Sequence, residues 1–129
     1  MESGDNYRGR LGRQGEDIAC RLLESMGHII LERNFRSGHL EIDIISFDAE
    51  GIHFVEVKTR MKNIQAPPQE NVDFRKQRRI VQAAQSFLKS GKGRPYGSHE
   101  CMFDVVAVTF CGDTHSCEWI PQAFIPIYR

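Results

Sequence analysis

The chain has 129 residues, 17 basic and 17 acidic side chains, a formal net charge of zero and an apolar content of 40%. That length suits one domain with a real core, and the composition is that of a soluble globular protein. No apolar run approaches a membrane span and no signal-peptide pattern opens the chain, so a cytoplasmic protein with no membrane partner is expected.

Residues 1–10 are polar and read as a flexible N-terminal arm, leaving 11–129 as a single domain. From Leu11 to Met26 the spacing of Ile18, Leu22 and Met26, widened by Ala19 and Leu23, predicts an amphipathic helix ended by Gly27. Gly12 and Gly15 are poor helix formers, which suggests close approach by another element or a ligand. Glu16 lies at the margin of the apolar stripe; an acid favoured near a helix start accounts for it equally well.

His28 to Arg36 reads as a strand, followed by the loop Ser37-Gly38-His39. From Leu40 to Arg60 the period of two predicts two strands around the turn Asp48-Ala49-Glu50-Gly51. A two- or four-residue loop would set Ser46 opposite His53, Asp43 opposite Glu56, and Glu41 opposite Lys58. Directly opposed carboxylates repel. A hard divalent cation, Mg²⁺ or Mn²⁺, would remove that conflict, with Lys58 placed to hold or polarise a water beside it. On spacing alone, a solvated polar face with Lys58 neutralising the acids accounts for the pattern at least as well.

Met61 to Asn71, with Pro67-Pro68, is expected to be an irregular flap. Val72 to Ser90 predicts a second helix with Ile80, Ala84, Phe87 and Leu88 buried and Val81 and Ala83 beside them. Gln77 falls on the stripe side near its start. After the loop Gly91–His99, Met102 to Phe110 is apolar on both faces, as a central strand should be, with Asp104 its single charge. A strand, a helix and such a strand predict a parallel, right-handed crossover from the Phe54–Thr59 strand. A turn over Cys111–Ser116, a short strand Cys117–Ile120 with Trp119 inward, and an apolar tail lying on the body complete the chain.

The zero net charge argues against strong nucleic-acid binding, but its distribution is uneven. Lys58, Arg60, Lys62, Arg75, Lys76, Arg78 and Arg79 follow one another, and Arg8, Arg10 and Arg13 form a second cluster. Glu16, Glu41, Asp43 and Glu56 hold much of the acid. A basic surface around an acidic centre fits these counts, as does an ordinary mixed surface. Cys20, Cys101, Cys111 and Cys117 form no C-x-x-C pair and read as free thiols; Cys111, His115 and Cys117 match no defensible zinc spacing.

An acid on one strand, then twelve residues, then Glu56-Val57-Lys58 on the next resembles the PD-(D/E)XK nuclease superfamily. The blocks GRQGEDIA at 12–19, NFR at 34–36, EIDII at 41–45, FVEVKTR at 54–60 and FDVVAV at 103–108 resemble the bacterial YraN family of uncharacterised proteins. The resemblance implies an α/β, restriction-endonuclease-like αβββαβ core with a mixed central sheet flanked by helices. It implies that Asp43, Glu56 and the Val57 backbone carbonyl hold Mg²⁺ or Mn²⁺. Lys58 would orient the attacking water, Glu16 would support a metal-bound water or second ion, and Gln77 and Glu41 would back the site. Arg13, Arg60, Lys62, Arg75, Lys76, Arg78 and Arg79 would hold flanking phosphates independently of sequence. The implied activity is metal-dependent endonuclease cleavage of DNA, branched or structured DNA included. A non-catalytic nucleic-acid-binding module with the same fold is the alternative, and a protein-binding adaptor a third reading. Relatives by fold often dimerise, so a homodimer is a further expectation.

Overall fold

The computed structural model describes residues 4–62 and 73–124, with residues 4–8 as backbone alone. The elements run α1 (Gly4–Ser25), β1 (Ile29–Ser37), β2 (Leu40–Asp48), β3 (Gly51–Met61), α2 (Phe74–Lys89), a 3-10 turn (Arg94–Tyr96), β4 (Cys101–Cys111) and β5 (Thr114–Ile120). The five strands form one sheet in the order β1-β2-β3-β4-β5. β1, β2 and β3 form an antiparallel meander, β4 joins β3 in parallel after α2, and β5 returns antiparallel. This is an α/β, restriction-endonuclease-like αβββαβ core, with β5 added at the edge.

Each helix covers one face of the sheet, but the buried stripe of α1 is shifted from the expected one. Ile18, Ala19 and Leu23 are buried with Cys20, Leu22 is half-buried and Met26, in the Gly27 turn, is exposed, while on α2 Leu88 is half-buried. From α1, Ile18, Ala19, Cys20 and Leu23 pack on Ile44, Val55, Val106 and Val108. From α2, Ile80, Val81, Ala83, Ala84 and Phe87 pack on Ile42, Ile45, Ile52, Phe54, Phe103 and Val105. β4, between these layers, is buried from Met102 to Val108. Burial of this kind contributes about 25 cal/mol per Å² of apolar surface, so the two clusters hold both helices in place. Gly15 explains how closely α1 lies on β3. A Cβ there would stand 2.2 Å from Thr59 Oγ1, whereas one at Gly12 would meet nothing within 4 Å.

The end of α1 is a Schellman motif. Gly27, at φ 96°, donates to the Glu24 carbonyl and His28 to the Leu23 carbonyl, each at 3.0 Å. This closure delivers His28 into the interior. At the other end of the fold, Asp73 caps α2 by accepting from the Lys76 N–H at 2.9 Å. The cap places Lys76 and Gln77 in the first turns, where Lys76 reaches Glu56 on the central strand β3.

Several expected boundaries move. The loose arm over 1–10 is replaced from Gly4 onward by helix. Extending a helix already anchored by packing adds one hydrogen bond per residue, so a polar leading segment need not fray; residues 1–3 lie outside the described chain. The turn expected over Cys111–Ser116 contracts to Gly112-Asp113, because Gly112 adopts φ 58° and lets β5 begin at Thr114. β3 continues to Met61, and the expected flap lies, from residue 63 to 71, outside the described residues. So does the tail from residue 125; before it, Phe124 packs on Phe103 with ring centroids 5.1 Å apart.

Candidate functional site

The hairpin of β2 and β3 carries polar groups at both of its ends. Its turn is Ala49-Glu50. Asp48 Oδ1 accepts from the backbone N–H of Glu50 at 3.0 Å and of Gly51 at 3.3 Å, an Asx-type closure. Gly51 has φ 147°, and a Cβ there would lie 2.3 Å from the Glu100 carbonyl oxygen. With that two-residue turn, Asp48 pairs Gly51, Ser46 pairs His53 and Ile44 pairs Val55, the register expected for it.

One step further the ladder stops. Asp43 and Glu56 would face each other next, but the pairing ends at Ile44 and Val55. The Val57 N–H instead donates to Asp43 Oδ2 at 2.8 Å. On the other flank, Arg33 pairs Ile44 and Phe35 pairs Ile42, while Asn34, at φ 52°, and Asp43 between them do not pair. Ile42 and Ile45, an odd number of residues apart, join the same apolar cluster, so strict alternation fails between them. The regular opposition of Asp43 and Glu56 is therefore corrected. Two like charges in a regular ladder are unfavourable, and here one carboxylate leaves the ladder and takes over a backbone donor.

A cleft of about 570 Å³ opens at this break, lined by Leu11, Gly12, Glu16, Asp43, Glu56, Val57, Thr59, Arg60 and Met61. Three carboxylates from three elements share it. Burial, followed by the charge of Glu56, pushes the Asp43 carboxyl up to about 7, against the opposing Val57 hydrogen bond. Burial also raises Glu16, with a hydrogen bond to Asn34 and the Arg33 charge pulling the other way. Arg33 stands 4.0 Å from Glu16 and 2.8 Å from Asp17. Glu56 forms an ion pair with Lys76. Burial works against the Lys76 charge, but the bond and charge of Glu56 outweigh it and raise that ammonium above its usual range. The arrangement is an oxygen-lined cleft in which Glu56 is held by Lys76 and the Asp43 carboxyl is raised by its acidic neighbours.

The other expected residues take distinct places. Lys58 follows Glu56 by two on β3 and neighbours Lys76; it is not among the cleft's lining residues. Glu41 is exposed and pairs Arg36 at 3.8 Å, yet its charge is felt at Asp43 and Glu16. Gln77 is half-buried beside Lys76. Arg13 is exposed on α1; Arg75, Arg78 and Arg79 are exposed on α2, with Arg78 over the Phe74 ring at 5.6 Å. Arg60 lines the cleft and also a second one of about 660 Å³ with Lys62, Thr109 and Ser116. Lys76 differs from the rim residue expected of it: its charge is directed at Glu56.

At the turn end lies a cluster that spacing alone did not pick out. His53 Nδ1 is 2.6 Å from Asp104 Oδ2, and its Nε2 is 2.8 Å from Asp48 Oδ1. Both nitrogens thus face carboxyl oxygens. Burial works against a charge on the ring, and the Asp104 and Asp48 bonds raise the imidazole above its usual range. His28 Nδ1 meets Ser46 Oγ at 2.9 Å, and its Nε2 lies 3.3 Å from Asp48 Oδ2. Trp119 Nε1 and the Gln122 N–H complete Asp104, at 3.3 and 2.9 Å. Two signals in the sequence pointed here: Asp104 is the one charge in an apolar strand, and Ser46 faces His53.

All four cysteines are free, as expected. Among the described residues no helix is long and apolar enough to cross a membrane. Residues 15–108 match the model of a family described as "Uncharacterised protein family UPF0102". A UPF0102 protein of Chlorobium chlorochromatii is 46% identical over 99 residues, 76% of this chain and 73% of that protein. One of Geobacter metallireducens is 45% identical over 114 residues, 88% and 91% of the two chains, and one of Stutzerimonas stutzeri 39% over 113, 88% and 92%.

Proposed function

For this chain, which belongs to the UPF0102 family, we propose metal-dependent endonuclease activity: hydrolysis of phosphodiester bonds in DNA, with a preference for branched or structured DNA. The observation that carries the reading is Asp43. Its carboxylate stands at a break in the sheet, half-buried beside Glu56 and Glu16 and raised to about 7 by desolvation and the Glu56 charge. A chain selected for stability alone would not keep that conflict.

The donor set fits a hard cation, since it consists of carboxylate oxygens in a cleft open to solvent. Asp43 and Glu56 would hold Mg²⁺ or Mn²⁺, with the Val57 carbonyl as a further oxygen and Glu16 supporting a bound water. Bound there, the ion would polarise a phosphoryl oxygen and lower the pKa of a water. The chain's own residues do the rest. Lys58, on the strand face of Glu56, would orient the attacking water and offset charge at the phosphate. Lys76 pairs with Glu56 and is the group a cation on that carboxylate would displace. Gln77, next to Lys76, and Glu41, whose charge reaches Asp43, are the supporting polar groups. Arg60 would grip a flanking phosphate from inside the cleft, and Lys62, Arg13, Arg75, Arg78 and Arg79 would hold the backbone around it. The reading favours shape over base sequence, because these contacts go to phosphates. Cutting both strands of a branched substrate would call for a homodimer.

The test is a cleavage screen over single-stranded, duplex, flap and four-way DNA, with RNA counterparts, in Mg²⁺ and Mn²⁺. Scission by the wild type that Asp43→Ala and Lys58→Ala each lack supports the reading. Tight binding without scission supports the non-catalytic module instead.

A further inference from the structure

We propose that His28, Asp48 and His53 form a second metal site, selective for a borderline transition-metal cation such as Zn²⁺. It lies at the opposite end of the hairpin from the carboxylate cleft and does not rest on the nuclease reading.

Among the described residues, this is the one group of three His, Cys, Asp or Glu ligand atoms that converge within 4.8 Å of one another. Two rings from different elements aim their Nε2 atoms at the two oxygens of one carboxylate. The His28 and His53 centroids are 4.4 Å apart, so the inward nitrogens are already gathered.

The far side of each ring carries the second observation. Metal-bound histidines hold their other ring nitrogen with a carboxylate, carbonyl or other polar group, which fixes tautomer and orientation. His53 has Asp104 at its Nδ1, and Asp104 is itself held by Trp119 and the Gln122 N–H. His28 has Ser46 at its Nδ1. Both rings and Asp104 are about 1% exposed or less, so their orientations are set before any ion arrives, while Asp48 at 18% gives the entry path.

The ligand chemistry selects the ion. Two imidazole nitrogens and one carboxylate suit Zn²⁺, Co²⁺ or Ni²⁺, whereas Mg²⁺ prefers oxygen. Binding would exchange the proton on His53 Nε2 for the metal and shift the His28 proton to Nδ1, where Ser46 Oγ accepts it. Three protein ligands leave a fourth position for water. The ion would tie the α1–β1 link, the β2–β3 turn and β3 together.

The test uses the full chain, stripped with chelator and titrated with Zn²⁺, then Co²⁺. We expect one equivalent bound, a raised Tm that Mg²⁺ does not reproduce, and Co²⁺ d–d bands without thiolate charge transfer. Asp43→Asn and a Cys111→Ser/Cys117→Ser double variant should leave that equivalent intact. Asp48→Asn keeps the turn's acceptor and should lose it, as should His28→Gln, and Asp104→Asn should weaken it about 10–100-fold. Where a variant does not fold, long-range ¹H–¹⁵N spectra of the wild type read the site directly. Zn²⁺ should move the Nε2 signals of the two buried histidines. No bound metal, unmoved signals, or an equivalent that survives both Asp48→Asn and His28→Gln would overturn the proposal.

Discussion

The two ends of one hairpin treat buried acid in opposite ways. At the turn, Asp48 and Asp104 each receive several donors, and His53 lies between them with its imidazole raised above its usual range. At the other end, Asp43 sits near Glu56 and Glu16 with one backbone donor of its own, and its carboxyl rises to about 7. At the first end the buried polar atoms have partners; at the second, like charges are brought together. Local frustration in a chain otherwise consistent across levels marks function more than stability. Ligand type separates the ends again: oxygen alone at the cleft, imidazole with an outer shell at the turn.

Breaking the satisfied end should have the larger effect on stability. Asp104→Ala leaves His53 Nδ1 and the Trp119 N–H without their buried partner. We expect a loss of about 3–5 kcal/mol in urea unfolding. A loss under 1 kcal/mol would remove the contrast between the two ends.

The frustrated end should respond in the opposite direction. In chelator, Asp43→Asn keeps an acceptor for the Val57 N–H and removes the charge facing Glu56. The wild-type carboxyl has a raised folded pKa near 7, against about 3.9 unfolded. Between those values the folded state binds more protons, so wild-type stability falls as pH rises through the window. The variant should therefore match the wild type near pH 4 and exceed it by about 2–4 kcal/mol above pH 7. Unfolding curves across pH 4–8 check the sign. A variant less stable at pH 8 would mean that Asp43 is structural.

The smallest effect should come from Lys76→Ala. Its ion pair with Glu56 is partly solvent-exposed on the lysine side, so the stability change should stay within about 1 kcal/mol. Glu56 would be left without its resident cation, and Mg²⁺ affinity by calorimetry should rise a few-fold. An unchanged or weaker affinity would show that Lys76 does not compete for Glu56.

Periodicity made much of this molecule legible. Most of both helical stripes and the apolar β4 with its single charge follow from side-chain spacing, and with them the parallel crossover. Spacing narrows the turn to two or four residues, of which the structure has two. The break at Asp43 was not legible. A register is read by assuming a regular ladder, and here a carboxylate replaces a backbone acceptor while Asn34 leaves the β region. The role of Lys76 was hidden too, because the Asp73 cap fixes which way that turn of α2 faces. The histidine cluster needed tertiary structure, since it draws on the α1–β1 link, both hairpin strands and β4.

The most direct measurement is Mg²⁺-dependent cleavage of a labelled four-way DNA junction by the wild type and by Asp43→Asn, with folding of both verified by thermal melting. Strand scission by the wild type, at least about 10³-fold slower in a variant that melts at an equal or higher temperature, is the predicted result. Equal cleavage by the two proteins, or no scission of any branched or duplex DNA by the wild type in Mg²⁺ or Mn²⁺, would contradict the account.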